Sequence, residues 1–340
     1  MLLSIATAQW KVRDAKQEIY DLVDQLNSIG EKFAFNKDYV LKACLVLTDV
    51  ADIQFRVNNF NKENMSRIEA KWDAISDSLR LTVQAISSWG YNWQTLPSNY
   101  ATIPLAYYLF KKENPQGFVA SSKFEKDREG VKHWLRIALL KRIFSGTPDN
   151  VLRQIRRVMQ GEGVTDGFPA DEIRNELAPT PRSMKFDQAE LEGLLSYRYN
   201  QAYTFIVLSM IYPWLIYDQR FHIDHIFPKA HFNKNELRKR GIPERDWSLW
   251  LDQVNNLGNL QLLQGSENIE KSSTEFEKWL VGKYSDPTSI NMFKKNHFIP
   301  EVDLSFDNFP NFIKAREELL RTRLARILNV TIVNGKTTVY

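Results

Sequence analysis

Three of the five histidines in the chain, His222, His225 and His231, fall within ten residues of one another. Their neighbours in the stretch Phe221–Pro228 are mostly apolar. Apolar neighbours of this kind are typical of a buried strand rather than of a solvated loop. Polar side chains on a buried strand need either hydrogen-bond partners or a functional role. The stretch therefore predicts a metal site or a catalytic site.

Two strands and a helix are predicted to position this site. His222–Phe227 is predicted as a short strand, and Asn259–Gln264 as its antiparallel partner. Ser266 is predicted to cap a following helix that carries Asn268. A strand, strand, helix order can bring polar groups of the first strand close to Asn268.

The residue types suit a hard divalent cation. Asp224 and the side-chain amide of Asn268 offer oxygen ligands, and water and a substrate phosphate can complete an octahedral shell around magnesium. His225 lies on the opposite strand face from Asp224. Its ordinary pKa of about 6.5 suits a base that takes a proton from water near neutral pH.

These residues resemble the motifs of the HNH (His-Asn-His) endonucleases, in the variant whose last histidine is replaced by asparagine. The first motif resembles Asp224–Pro228, the middle asparagine matches Asn259, and the last metal-binding residue matches Asn268. The resemblance implies that Asp224 and Asn268 bind Mg²⁺ or Mn²⁺ and that His225 activates water. It also implies that Asn259 orients the histidine through backbone contacts.

A wider resemblance links residues 1 to about 285 to the C-terminal half of GmrSD-type restriction enzymes, which act on modified foreign DNA. It rests on Leu2–Thr7, Asp38–Lys42 and Gly258–Leu263. Members of that family carry an N-terminal nucleotide-linked domain with an Asp-Gly-Gln-Gln-Arg motif, which this sequence lacks. The resemblance implies a truncated or engineered fragment, or one subunit of a split enzyme, with a separate N-terminal domain or subunit as a possible partner.

Other residues near the motifs have two interpretations each. His222 is either a further ligand or phosphate contact, or a strand-end histidine satisfied by its neighbours. Lys271 either reaches phosphate or is solvated, and His231 is predicted to be structural. An insertion between the motifs is either a solvated helix and turn or a set of phosphate contacts. We favour phosphate contacts, because its basic residues are clustered with few acidic neighbours: Lys234, Arg238, Lys239, Arg240 and Arg245.

Helical periodicity dominates the rest of the chain, so the predicted fold class is mainly α. A large helical domain (residues 1–200) precedes a small ββα-metal nuclease module with a C-terminal helix and a short β-hairpin (residues 201–340). We predict one amphipathic helix over residues 1–30, one long helix over 61–88, and a loop over 161–181. Asn334-Gly335 predicts the hairpin turn near the C-terminus.

Composition narrows the function classes. The single cysteine, Cys44, excludes a multi-cysteine site, so no structural zinc is expected. No glycine-rich phosphate loop is present, which argues against a nucleotide hydrolase. A net charge of +4 is compatible with a DNA partner. The longest apolar run, 202–217, is too short to cross a bilayer comfortably, so a cytoplasmic protein is expected.

The sequence thus predicts a metal-dependent DNA endonuclease of a bacterial anti-phage or modified-DNA restriction system. The alternative is a catalytically silent helical interaction module that docks a separate N-terminal partner domain.

Overall fold

A computed structural model of the chain describes residues 8, 10–160, 167–212, 215 and 221–332. The described residues are mainly helical, with one two-stranded antiparallel sheet, and this confirms the predicted fold class. The chain divides into two compact units, Met1–Met184 (unit 1) and Lys185–Tyr340 (unit 2). The domain boundary placed at residue 200 from the sequence stays a prediction. The predicted C-terminal hairpin falls largely on residues 333–340, outside the described residues.

The described part of unit 1 contains helices and turns but no strand. Its helices are α1 (Ala15–Ser28), α2 (Lys37–Leu47), α3 (Lys62–Ala70), α4 (Trp72–Ser88), α5 (Ile103–Lys111), α6 (Glu125–Leu140), α7 (Pro148–Gln160) and α8 (Ala170–Leu177).

The described part of unit 2 places its two strands between helices. The elements are α9 (Gln188–Leu195), α10 (Ala202–Ile211), β1 (Phe221–His225), α11 (Lys234–Lys239), α12 (Trp247–Gln253), β2 (Leu260–Gln264), α13 (Gly265–Lys271), α14 (Phe276–Lys283), α15 (Pro287–Asn296) and α16 (Phe309–Leu328).

Three predicted boundaries in unit 1 are wrong. The first described helix begins at Ala15, because Asp14 caps it and the Glu69 carboxylate accepts hydrogen bonds from the backbone N–H groups of residues 11–13. The predicted long helix breaks before Trp72, whose indole donates to the Glu18 carboxylate. Within the predicted loop 161–181, residues 170–177 form α8.

An aromatic core fixes the end of β1. Phe227, two residues beyond the strand, packs edge-on against Phe309 and Phe312 of α16 at centroid distances of 5.3 and 4.8 Å. Phe232 and Trp250 pack against the same helix through Phe309. Because these rings are buried, they hold the segment that follows the Asp224-His225 pair against a long, rigid helix.

The apolar run that begins at Ala202 forms the ten-residue helix α10, which is buried from Thr204 to Ile211. Among the described residues, no helix is long and apolar enough to cross a membrane.

Candidate active site

The predicted strand, strand, helix arrangement is present. β1 pairs antiparallel with β2, so that Asp224 lies opposite Gln261 and His225 opposite Leu260. Each strand differs by a residue or two from its predicted bounds, because Asn259 ends a 3₁₀ turn just before β2. Helix α13 begins at Gly265, earlier than the predicted cap at Ser266, and packs against both strands.

Asp224 is buried in a small polar network. Its Oδ2 accepts a hydrogen bond of 2.9 Å from Nε2 of Gln261, its partner across the strands. The Lys271 ammonium lies 3.2 Å from Oδ1 and 3.0 Å from Oδ2, and also donates to the His225 carbonyl at 2.6 Å. Lys271 is completely buried and Asp224 is only 7% exposed, so the ion pair is shielded from water. Burial lowers the pKa of Lys271, and the charge of Asp224 opposes that shift.

His225 is held by two neighbours outside the predicted motifs. Its Nε2 lies 3.0 Å from Oδ1 of Asn255, and its ring lies 4.5 Å from the Tyr199 ring, centroid to centroid. In the tautomer that satisfies the Asn255 contact, Nε2–H donates and Nδ1 keeps a free lone pair. Burial lowers the pKa of His225 below its ordinary value. The imidazole is therefore neutral at pH 7, which is the form that a general base requires.

The Asn259 side chain links the backbone that follows β1 to the backbone that precedes β2. Its Oδ1 accepts from the Phe227 N–H at 2.9 Å, and its Nδ2 donates to the carbonyls of Phe227 and Val254 at 3.1 and 2.9 Å. Its own carbonyl accepts from Ile226 N–H at 2.8 Å. Asn259 is fully buried, so these bonds have no competition from water. The residue fixes the backbone directly after His225.

A buried arginine secures the turn that carries Asn259. Arg316 of α16 donates through Nη1 to the carbonyls of Gly258 and Leu260 at 2.8 and 2.9 Å. Gly258 lies so close to α16 that an added Cβ would come within 3.0 Å of Cγ of Glu317. A larger residue at this position would require the Glu317 and Ile313 side chains or the turn itself to shift.

Asp224 and its neighbour Gln261 offer donor types that suit a hard divalent cation. Gln261 gives its Nε2 hydrogen to Asp224, and its buried Oε1 has no hydrogen-bond partner among the described residues. The Asn268 side chain is half-buried on α13, and the described residues give it no hydrogen bond. Asp224 and Gln261 thus offer a carboxylate and an amide oxygen, which are ligand types that Mg²⁺ prefers, and whether Asn268 joins them stays a prediction. Among the described residues, no three His, Cys, Asp or Glu side chains are grouped as metal ligands.

The remaining predicted site residues have different surroundings. His222 is half-buried in β1 opposite Leu263, and strand alternation puts it on the Asp224 face. The solvated interpretation of Lys271 is wrong, because that side chain is fully buried. His231 lies with Nε2 2.8 Å from the Ser273 carbonyl, a contact that suits the structural role predicted for it.

The premise that the basic insertion has few acidic neighbours is wrong. Four of its five cations lie within 4 Å of a carboxylate: Arg238 (Glu244), Lys239 (Glu236), Arg240 (Glu275) and Arg245 (Asp246). Arg240 also stacks on the Phe306 ring at 4.2 Å. Lys234 is exposed at the start of α11. Three of these partners, Glu236, Glu244 and Asp246, lie within the insertion itself, and only Glu275 comes from later in the chain. DNA contact by these five residues stays a prediction.

Three residues that contact the predicted site were not singled out from the sequence. Gln261 interrupts the apolar run Leu260–Leu263, but end-to-end pairing of the two predicted strands would have placed Leu262 opposite Asp224, one residue away from the observed register. Asn255 and Tyr199 had no such signal. Their proximity to His225 depends on a backbone hydrogen bond of 2.9 Å from Tyr199 N to Asn255 O, which joins segments far apart in sequence.

Comparison with known families identifies part of the chain. Residues 171–299 match the family described as GmrSD restriction endonucleases, C-terminal domain, which confirms the predicted resemblance over those residues. The matched segment contains both strands, helix α13 and the residues around Asp224 and His225, but not helix α16 with Arg316. No curated protein matches the chain.

Proposed function

We propose that this chain, which contains the C-terminal domain of the GmrSD restriction endonucleases, is a metal-dependent DNA endonuclease of the HNH type. One observation carries the proposal: Asp224 and His225 end a strand that pairs with β2, α13 packs on both strands, and Asn259 holds the connection. In this arrangement a carboxylate and a neutral imidazole lie side by side in the chain and project to opposite faces of the strand.

His225 is proposed as the general base. Its neutral imidazole can take a proton from the water that attacks phosphorus, provided that one ring nitrogen keeps a lone pair. The contact with Asn255 leaves Nδ1 for this purpose, and the Tyr199 ring restricts rotation of the imidazole. Asn259 contributes by fixing the backbone on which His225 stands.

Asp224 and Asn268 are proposed to hold Mg²⁺ or Mn²⁺, and Gln261 offers a further buried amide oxygen beside Asp224. Such an ion, when bound, supplies electrostatic stabilisation of the charge that develops on the phosphate and on the leaving oxygen. Lys271 orients the Asp224 carboxylate through two close contacts. Each carboxylate oxygen has a second lone pair and can therefore also bind a cation.

The proposed substrate is DNA, cleaved in a bacterial restriction system directed at phage or modified DNA. This proposal is supported by the family of the matched domain, whose members are restriction endonucleases. A separate N-terminal domain or subunit of the GmrSD type is the proposed partner. The cytoplasm is the proposed location.

Plasmid cleavage tests the proposal. Purified chain with Mg²⁺ or Mn²⁺ is expected to nick or linearise unmodified or modified plasmid DNA, and EDTA is expected to stop cleavage. Asp224→Asn keeps the size of the side chain and removes its charge, so it is expected to reduce cleavage by roughly two orders of magnitude or more. Intact plasmid under all of these conditions, with a GmrSD-type N-terminal domain supplied in trans, contradicts the proposal.

A further inference from the structure

One buried cation in unit 1 differs from every other buried cation in the described chain. Arg136 on α6 is 4% exposed, yet its Nε and Nη2 have no hydrogen-bond partner among the described residues. The other buried cations each donate to a carboxylate or a carbonyl: Lys42 to Asp149, Lys132 to Glu129, Arg156 to Val50, Lys271 to Asp224, and Arg316 to Gly258. Buried donors of a charged group that lack acceptors destabilise a fold, because they lose their bonds to water and gain none in return. The two unpaired donors of Arg136 therefore indicate a ligand.

The free donors of Arg136 have a defined geometry. Nε–H and Nη2–H lie on one edge of the planar guanidinium and point the same way. This edge, called the Arg136 fork below, can donate two parallel hydrogen bonds to two oxygens of one phosphate or carboxylate. Arg156, in the same unit, offers a contrast, since its Nη1 and Nη2 donate to the Val50 and Ala51 carbonyls at 2.7 and 3.4 Å.

A second positive charge lies next to this fork. Lys132 is one helical turn before Arg136 on α6, so the two side chains share a helix face. Lys132 is 7% exposed and bonds Glu129 at 3.2 Å, while the Glu129 side chain is 58% exposed. The charged cluster of Lys132, Arg136 and Glu129 thus extends from the interior of unit 1 to its surface. It carries two positive charges and one negative charge.

From these contacts we infer that Arg136 and Lys132 form an anion site in unit 1 that binds a phosphate group. A tetrahedral phosphate presents two oxygens to the Arg136 fork and further oxygens to the charge of Lys132. A carboxylate has only the two oxygens that the fork takes. The site is separate from the Asp224-His225 site, which lies in unit 2.

Thermal unfolding with and without inorganic phosphate tests this inference. For the wild-type chain, phosphate at about ten times its dissociation constant is expected to raise the Tm by roughly 2–5 °C relative to sodium chloride of equal ionic strength. Arg136→Met removes the unpaired charge. It is expected to raise the Tm in phosphate-free buffer and to abolish the phosphate-dependent increase. Arg156→Met is the matched control in the same unit, and it is expected to lower the Tm and to keep the phosphate-dependent increase.

Two results would overturn the inference. In the first, Arg136→Met lowers the Tm in phosphate-free buffer and retains the full response to phosphate. In the second, sodium acetate stabilises the wild-type chain as much as phosphate does, which assigns the fork to a carboxylate. Arg136→Lys keeps the charge and removes the fork, so it provides a second variant, and its phosphate response is expected to be at least several-fold weaker. Equilibrium dialysis with labelled phosphate gives an independent readout, expected to show one Arg136-dependent site per chain.

Discussion

The Asp224 carboxylate and the Lys271 ammonium depend on each other because both are removed from water. Lys271 is fully buried and contacts both carboxylate oxygens, while Gln261 supplies the remaining hydrogen bond to Asp224. A buried pair of this kind contributes little net stability, but removal of one partner leaves an uncompensated charge. The pair is thus expected to behave as a unit in mutagenesis.

Lys271→Met is expected to lower the free energy of unfolding by about 3 kcal/mol, because Asp224 then remains buried without a cation. The double variant Asp224→Asn with Lys271→Met removes both charges and is expected to recover more than half of that loss. Urea denaturation of the wild type, the two single variants and the double variant measures this coupling. A double variant no more stable than Lys271→Met would show that the two charges are not coupled.

His297 gives unit 2 a defined pH dependence. Burial and the nearby charge of Arg316 lower the pKa of His297 to about 3, compared with about 6.5 in an unfolded chain. Between these values the unfolded chain binds a proton that the folded chain does not. Stability is therefore lost as the pH falls from about 6.5 towards 3, by about 1.4 kcal/mol per pH unit from this group.

Denaturation at several pH values from 7 to 4 measures this slope. His297→Phe keeps a ring that can stack on Phe293, which His297 contacts at a centroid distance of 4.0 Å. The variant is expected to lose stability less steeply with falling pH, by about 1.4 kcal/mol per pH unit. Equal slopes for the variant and the wild type would show that His297 is protonated in the folded chain.

At the scale of elements, helix α16 and the turn before β2 form the support of the site. Arg316 binds carbonyls of the turn, and Phe309 and Phe312 pack on Phe227. The strands and the C-terminal helix were predictable from local pattern: apolar alternation, Pro228 after β1, and an apolar stripe along α16. The contacts of α16 with the turn and with Phe227 were not predictable. They join residues more than 50 positions apart, and neither segment shows from its own sequence that it packs on the other.

Arg316→Met is expected to loosen this support without unfolding unit 1. It leaves the Gly258 and Leu260 carbonyls without their donor, so the hydrogen-exchange protection of the Ile226 and Phe227 amides is expected to fall by about tenfold or more. The exposed Lys314, two residues earlier on the same helix, provides the matched control, since Lys314→Met is expected to leave both amides unchanged. Unaltered protection in Arg316→Met would contradict the supporting role.

For the whole molecule, the sequence correctly predicted a mainly helical chain and the strand, strand, helix order around Asp224 and His225, while the roles of the site residues stay predictions. Its errors are of two kinds. Helix bounds were wrong where a side chain from elsewhere ended the helix, as Glu69 does before α1. The prediction of an unpaired basic residue was wrong for Arg240, which pairs with Glu275 from later in the chain. The interpretation of Lys271 as solvated was wrong because its side chain is buried. Tertiary contacts determine both, and a local pattern does not contain them.

The rate of DNA cleavage by His225→Ala tests the central claim most directly. Compared with the wild-type chain under single-turnover conditions with Mg²⁺, this variant is expected to cleave at least about 100-fold more slowly, because a general base contributes roughly 10²–10⁴-fold to such reactions. His231→Ala, six residues away and hydrogen-bonded to the Ser273 carbonyl, is the matched control and is expected to cleave within a few-fold of the wild-type rate. Circular dichroism checks that both variants remain folded. Equal cleavage by wild type and folded His225→Ala would contradict the account.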